Sequence, residues 1–116
     1  MSETLSQKQR RFTRDVALLI QWAYAEGFEL TLGEAHRTPE QAAWNAQNGK
    51  GISNSLHIDR LAIDLMLWVD GQYTDKFDDY VPLGQFWKSL GDDHAWGGDF
   101  KSRDAVHFSI AHGGRK

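Results

Sequence analysis

The sequence predicts an α+β fold, a small and mainly antiparallel sheet flanked by helices. Three observations carry this prediction: an amphipathic stripe of helical period near the N-terminus, a long apolar run at 61–69, and a short alternating segment at 105–110. Strand order cannot be read from these patterns.

Residues 6–26 read as the first helix. Ser6 with Gln9 fits a capping box, Phe12, Val16, Leu19, Ile20 and Ala23 form one apolar stripe, and Gly27 ends it. The segment FELTLGEA at 28–35 alternates briefly and predicts a strand. In TPEQAAWNAQNG, Thr38 reads as N-cap, Pro39 as the first helical residue, Gln41 as the residue completing the box, and Gly49 as the stop. A glycine- and serine-rich loop at 49–54 leads to the strand at 61–69, and Asp70–Gly71 supplies a turn into a short returning strand. Pro82 opens a further helix with Leu83, Phe86, Trp87 and Leu90 on one face and Gly91 at its end. In AVHFSI, Val106, Phe108 and Ile110 face one side of a strand and His107 and Ser109 the other.

A chain of 116 residues suits one domain, 1–116, with a single core. Its net charge of −3 and lack of a basic cluster argue against a nucleic-acid partner. With no cysteine, neither a disulfide framework nor a thiolate metal site can form, so any zinc must be held by histidine and carboxylate. The polar N-terminus lacks the apolar core of a signal peptide, and no segment approaches bilayer-spanning length. The expectation is synthesis in the cytosol without stable membrane association. The GKG at 49–51 is not a phosphate loop, because no strand precedes it and no Lys–Ser/Thr pair follows.

One residue does not fit its surroundings. Along the strand at 61–69, Leu61, Ile63, Leu65, Leu67 and Val69 point one way and Ala62, Asp64, Met66 and Trp68 the other, so the pattern predicts a central strand covered on both faces. An ionised carboxylate in that setting costs several kcal/mol, by rough order of magnitude, unless paired, hydrogen-bonded or metal-bound. His57 precedes Asp64 by seven positions, an odd number, so the chain must turn before the strand for the two to meet. A loop histidine beside a strand aspartate suggests half a metal site; a hydrogen-bonded core aspartate and a loop-capping histidine are the alternatives. Of the remaining histidines His107 is the best third ligand, on the strand face opposite Val106, Phe108 and Ile110, whereas His36, His94 and His112 are not read as ligands. Two histidines and one carboxylate leave a tetrahedral zinc one open position, and zinc lowers the pKa of water there to about 7. Asp104, three residues before His107, is the candidate base for its proton.

The run SLHIDRLAID from Ser55 to Asp64, the WGGDF at 96–100 and the DAVHF at 104–108 together resemble the M15 family of zinc peptidases. More narrowly they resemble its phage endolysin branch, which cleaves the L-alanyl-D-glutamate bond of peptidoglycan. The shared pattern is S-x-H, an aspartate seven residues after the histidine, and a late D-x-x-H, and the resemblance spans about Glu34 to Ile110. It implies a Hedgehog/D,D-peptidase-like fold forming one catalytic domain without a separate cell-wall-binding module. It also implies one Zn²⁺ per chain on His57, Asp64 and His107, and Asp104 as catalytic acid/base. Arg37 matches an arginine that anchors a substrate carboxylate, although by position alone it reads as a solvated surface arginine. Two features bear on the match. Arg60 stands where many members have glycine, and an aspartate at 104 rather than a glutamate favours the endolysin branch over the D,D-peptidases.

Three more residues are read as substrate contacts, each with a structural alternative. Ser55 serves the substrate or forms a turn, Gln41 assists Arg37 or completes the capping box, and Trp96 forms the cleft wall or the core. The expected function is hydrolysis of the L-alanyl-D-glutamate bond of stem peptides during phage lysis, by a monomer made in the host cytoplasm. It would reach the periplasm and wall through a holin-type pore. The alternatives are a D,D- or L,D-carboxypeptidase of the same fold and a non-catalytic zinc-binding wall module.

Overall fold

Helix α1, Leu5–Ala25, lays Phe12, Val16, Leu19 and Ala23 against the sheet, the stripe the sequence predicts. The computed structural model describes residues 3–50 and 54–116; part of the predicted loop at 49–54 lies outside them. The helix begins two residues earlier than the Ser6 box implies. Thr4 is the cap: its Oγ1 accepts from the Gln7 amide at 3.1 Å and the Gln7 side chain accepts from the Thr4 amide at 2.8 Å. Thr4–Gln7 has the same spacing as Ser6–Gln9, and Gln9 instead donates to the Asp59 carbonyl at 2.8 Å.

Strand β1, Glu29–Leu32, is followed by α2, Pro39–Gln47, capped by Thr38 as predicted. Strand β2, Ala62–Val69, turns through Asp70 and Gly71, both at positive φ, into β3, Gln72–Thr74. Helix α3, Phe77–Ser89, encloses Pro82 instead of opening with it. Asp78 and Asp79 suit its first turn, and Tyr80, Leu83 and Trp87 are wholly buried. That burial outweighs the about 3 kcal/mol that an internal proline costs a helix. Strand β4, His94–Trp96, which the sequence pattern does not reveal, runs into a 3₁₀ turn at Gly97–Asp99 before β5, His107–Ile110.

All pairings are antiparallel, in the order β1-β2-β5-β4 with β3 also on β2. The hydroxyl of Tyr80 sits between the β5 and β3 stretches of β2, donating to the Leu65 carbonyl at 2.7 Å and accepting from the Leu67 amide at 2.9 Å. The odd-numbered residues Leu61, Ile63, Leu65 and Leu67 join Phe108 and Ile110 in the core with α1 and α3. The other face of β2 is covered only in part, contrary to the two-sided burial predicted. Asp64, Met66 and Trp68 are half-buried, and Asp64 opens onto a cleft.

Candidate metal centre

The antiparallel register of β2 and β5 sets Asp64 directly opposite His107. Opposed residues project to the same face of a sheet, so pairing alone brings these two side chains together. His57 arrives by the turn that its odd spacing requires. The Ile58 amide bonds to the Ser55 carbonyl at 3.1 Å, the Asp59 amide to Leu56 at 3.1 Å, and the Leu61 amide closes back on Leu56 at 3.1 Å. Arg60 takes φ of +56° to make that closure. This is the left-handed position where glycine is ordinarily placed, and here a residue with a side chain holds it.

One donor atom from each of His57, Asp64 and His107 lies within 4.8 Å of the others. His57 Nε2 is 3.4 Å, and His107 Nδ1 3.9 Å, from Asp64 Oδ1. Both histidines are buried. Asp64 Oδ1 and His107 Nε2 are buried with no hydrogen-bond partner, a costly arrangement for polar atoms unless something else satisfies them. Two imidazoles and a carboxylate are a donor set that suits zinc. The residues therefore fit the ion.

The surroundings orient these donors. His57 Nδ1 lies 3.2 Å from the Ala35 carbonyl, so Nδ1 carries the hydrogen and Nε2 faces Asp64, the arrangement expected of a metal-binding histidine. The segment 33–37 is itself fixed to the site, with the Gly33 amide on the Asp64 carbonyl at 2.8 Å, the Asp64 amide on the Glu34 carbonyl at 2.8 Å, and the Arg37 amide on the His57 carbonyl at 3.1 Å. Phe100 packs on the His107 ring with centroids 5.3 Å apart.

Protonation follows from this environment. Burial and the neighbouring His57 charge push His107 down to about 4. Burial pushes His57 the same way, but the Asp64 carboxylate 3.4 Å away, the Ala35 carbonyl and Glu34 outweigh that and leave it above its ordinary value. Asp104 stands at the exposed mouth of the cleft. Loss of water between the walls, followed by the Asp64 charge, raises its carboxyl above the usual range against the pull of His57 and Arg37.

The cleft, of about 530 Å³, is lined by Arg37, Ser55, His57, Asp64, Asp104 and His107 among others. Five of the sequence-derived residues outside Ser55 therefore converge, and Ser55 has a defined task. Its Oγ accepts from the His57 amide at 3.2 Å, shaping the turn. Two residues fall elsewhere. Gln41 spends its side chain on Asn45, at 2.7 Å, on an exposed helix surface outside the cleft. Neither the capping box nor a place beside Arg37 is realised. Trp96 is buried in the core, stacked on Phe77 and donating to the Ala105 carbonyl at 2.8 Å. It is not the wall of this cleft. A side-chain carbon at Gly84 or Gly98 would lie 2.3 Å from its ring, so the second glycine of WGG makes room for it.

Glu34 is the functional residue the sequence reading missed. Its Oε1 accepts from Arg37 Nε at 2.8 Å and also from Nη2, and lies 3.6 Å from His57 Nδ1. The three-residue spacing from Arg37 was the available signal. His94, set aside as a ligand, is a core partner of Asp15, with 2.8 Å between Nε2 and Oδ2. His36 borders a separate apolar hollow beside Phe12 and Ile63, and His112 lies near Lys8.

This geometry can be set beside known proteins. No family model matches the sequence, and no curated protein matches it either. Solved structures do. The L-Ala D-Glu endopeptidase ChiX of Serratia marcescens superposes with a TM-score of 0.71 at 18% identity, covering 96% of this chain and 89% of that one. The fold is that of a known peptidase. A second match is the vancomycin-resistance D,D-pentapeptidase VanY, from a VanB-type cassette and in complex with Zn(II). It has a TM-score of 0.57 at 18% identity, over 88% of this chain and 71% of that one. Both likenesses concern the fold.

Proposed function

We propose that the protein is a zinc peptidase that hydrolyses the L-alanyl-D-glutamate bond of peptidoglycan stem peptides, in the manner of a phage endolysin of the M15 family. The observation that carries this reading is the convergence of His57, Asp64 and His107 in one cleft with Asp104 and Arg37. The aspartate at 104, where D,D-peptidases of the resembled family often carry glutamate, supports the endopeptidase over the D,D-carboxypeptidase.

His57, Asp64 and His107 would hold the ion, which when bound polarises the scissile carbonyl and acidifies the attacking water. Asp104 takes the proton from that water and returns it to the leaving amine nitrogen. Its raised pKa suits both halves of this transfer, since a carboxyl nearer neutrality gives up a proton as well as accepting one. Arg37, held by Glu34, presents the remaining donors of its fork to the free α-carboxylate of a D-glutamate linked through its side chain. The Ala35 carbonyl keeps the His57 hydrogen on Nδ1 throughout.

No described helix is long and apolar enough to cross a membrane. Our reading places synthesis in the host cytoplasm and action at the wall after a holin-type pore opens, as a monomer with peptidoglycan as its partner. Purified cell walls digested with the zinc-loaded protein, followed by mass spectrometry of the muropeptides, test the specificity. New L-alanine C-termini and D-glutamate N-termini are expected. Release of free D-alanine with that bond intact would identify a carboxypeptidase, and intact muropeptides with zinc fully bound a non-catalytic binding module.

A further inference from the structure

On the outer face of the sheet the metal donors continue into an aromatic surface. Strand register sets the side chains of that face in rows. Asp64 lies opposite His107, Met66 opposite Thr31, and Trp68 between Glu29 and Tyr73. Trp68 is half-buried, whereas Glu29, Thr31 and Tyr73 are exposed. The indole is held in place: its Nε1 donates to Thr31 Oγ1 at 3.1 Å, and the Tyr73 ring meets it edge-on with centroids 5.7 Å apart. Beside it opens a hollow of about 330 Å³ bordered by Tyr24, Glu29, Thr31 and Trp68. An amphipathic aromatic plate ringed by hydroxyls and one carboxylate matches a pyranose, whose axial C–H face is apolar and whose rim is polar. The Tyr24 hydroxyl donates to the Leu30 carbonyl and accepts from the Leu30 amide, both at 3.2 Å. It thereby occupies backbone groups of the edge strand β1 that a second copy would need to extend the sheet.

Chain direction relates this surface to the scissile bond. Strand β1 runs antiparallel to β2, from Glu29 beside Trp68 to the Gly33 amide and Glu34 carbonyl, each 2.8 Å from an Asp64 backbone partner. It then continues to Arg37, whose amide joins the His57 carbonyl at 3.1 Å. Arg37 and Trp68 therefore stand on opposite sides of Asp64. With the D-glutamate carboxylate at Arg37, the L-alanine leaves the scissile bond toward Met66 and Trp68. We infer that this face is a glycan subsite, in which Trp68 and Tyr73 seat the N-acetylated sugar that bears the stem peptide. This rests on the peptidase reading above. The lengths agree. Four residues along β2 carry Trp68 about 13 Å from Asp64. The alanine and the lactyl group that links it to the sugar span about 7 Å, so the pyranose starts over Met66 and extends across the indole. Its lactyl carboxyl is consumed in the amide, and the neutral sugar suits rows whose charged member beyond the metal donors is Glu29, an acceptor for its hydroxyls.

The test measures kcat/KM of the zinc-loaded full chain on two synthetic substrates that differ only in the sugar. One is N-acetylmuramyl-L-Ala–γ-D-Glu extended by one residue, the other its N-lactoyl counterpart, each made with meso-diaminopimelate and with L-lysine as that residue. The muramyl form should be favoured about tenfold, the upper range of one aromatic contact, through KM with kcat unchanged, as uniform binding requires. The muramyl-to-lactoyl ratio should approach one in Trp68→Leu and fall in Tyr73→Ala. A general loss of fold or metal lowers both rates and leaves their ratio. Equal cleavage of the two forms by the wild type overturns the subsite and leaves the peptidase reading standing. A preference retained in both variants overturns the assignment to this face. Wild-type dimers in sedimentation that Trp68→Leu abolishes would give the face to a second copy and overturn the inference. Cleavage of none of the substrates, with zinc bound at one per chain, overturns the peptidase reading and this inference together.

Discussion

On the proposed reading, single side chains of the site divide metal holding from proton transfer, so that neighbours three residues apart have different duties. His107 is a buried strand residue facing Asp64; Asp104 sits at the cleft mouth before the strand begins. His107→Ala removes one of three protein donors, so both zinc content and turnover should collapse. Asp104→Asn keeps shape and hydrogen bonding but accepts no proton, so zinc should stay near one per chain while kcat falls about 10²–10⁴-fold. Metal analysis and rates on the two purified variants check this. If Asp104→Asn loses zinc as fully as His107→Ala, Asp104 is a ligand and the proton transfer lies elsewhere. Asp99 is poorly placed to inherit the role, because it is half-exposed and paired with Lys88.

Among the elements, the turn at 55–61 matters most, since it carries His57 across the gap that strand geometry alone cannot close. Arg60 sits in it at φ +56°, where a side chain costs about 1–2 kcal/mol relative to right-handed backbone. Arg60→Gly should therefore leave stability unchanged or raise it slightly, relief of strain being partly offset by the greater freedom of the unfolded chain. Arg60→Val, β-branched and least suited to that region, should lower it by about 1–2 kcal/mol. Urea denaturation of both variants decides, and a Val variant as stable as the Gly variant would mean that the turn is not left-handed in solution. The WGG element shows the same economy from the opposite side. A side-chain carbon at Gly97 would lie 2.0 Å from the Asp104 carbonyl oxygen and 2.8 Å from the His107 Cβ. Only glycine lets the 3₁₀ turn pass so close behind Asp104 and His107.

For the whole molecule, the proposed zinc site would link metal, fold and pH, because its three donors come from β2, β5 and the turn that precedes β2. Zinc binding the native state alone stabilises it by about 4 kcal/mol at a thousandfold excess over Kd. Chelation should lower Tm and abolish activity together. An unchanged melting curve after confirmed metal loss would contradict the site. The pH dependence has a definite sign. His107, depressed to about 4, is already neutral at neutral pH, whereas His57, raised by Asp64, must lose its proton before binding. Zinc affinity should therefore fall as pH falls through the elevated His57 pKa, below which binding releases a proton; calorimetry in buffers of differing ionisation enthalpy reads that release. At the scale of the cell, cytosolic expression should be tolerated until the inner membrane is permeabilised. Lysis by cells with an intact membrane would instead point to an export route.

Local chemistry was legible in the sequence, and so was its parity. The stripe Phe12–Val16–Leu19–Ala23 in α1, the Thr38 cap of α2, the apolar run of β2 and the odd spacing of His57 from Asp64 are all consequences of periods along one chain. A carboxylate in an apolar strand announced that something must satisfy it, and the absence of cysteine restricted what could. Tertiary structure decided the matters that need two segments at once. Register set Asp64 opposite His107, since no pattern within either strand names its partner. Packing drew Trp96 into the core between Gly84 and Gly98 rather than onto the cleft wall, because both glycines offered the indole room that open solvent could not match energetically. The competition between equivalent motifs was also settled in three dimensions, where Thr4 took the α1 cap and left Gln9 for the Asp59 carbonyl. Glu34 emerged as the support of Arg37 for the same reason: a guanidinium and a carboxylate three residues apart meet only if the intervening backbone turns, and here hydrogen bonds to Asp64 and His57 make it do so.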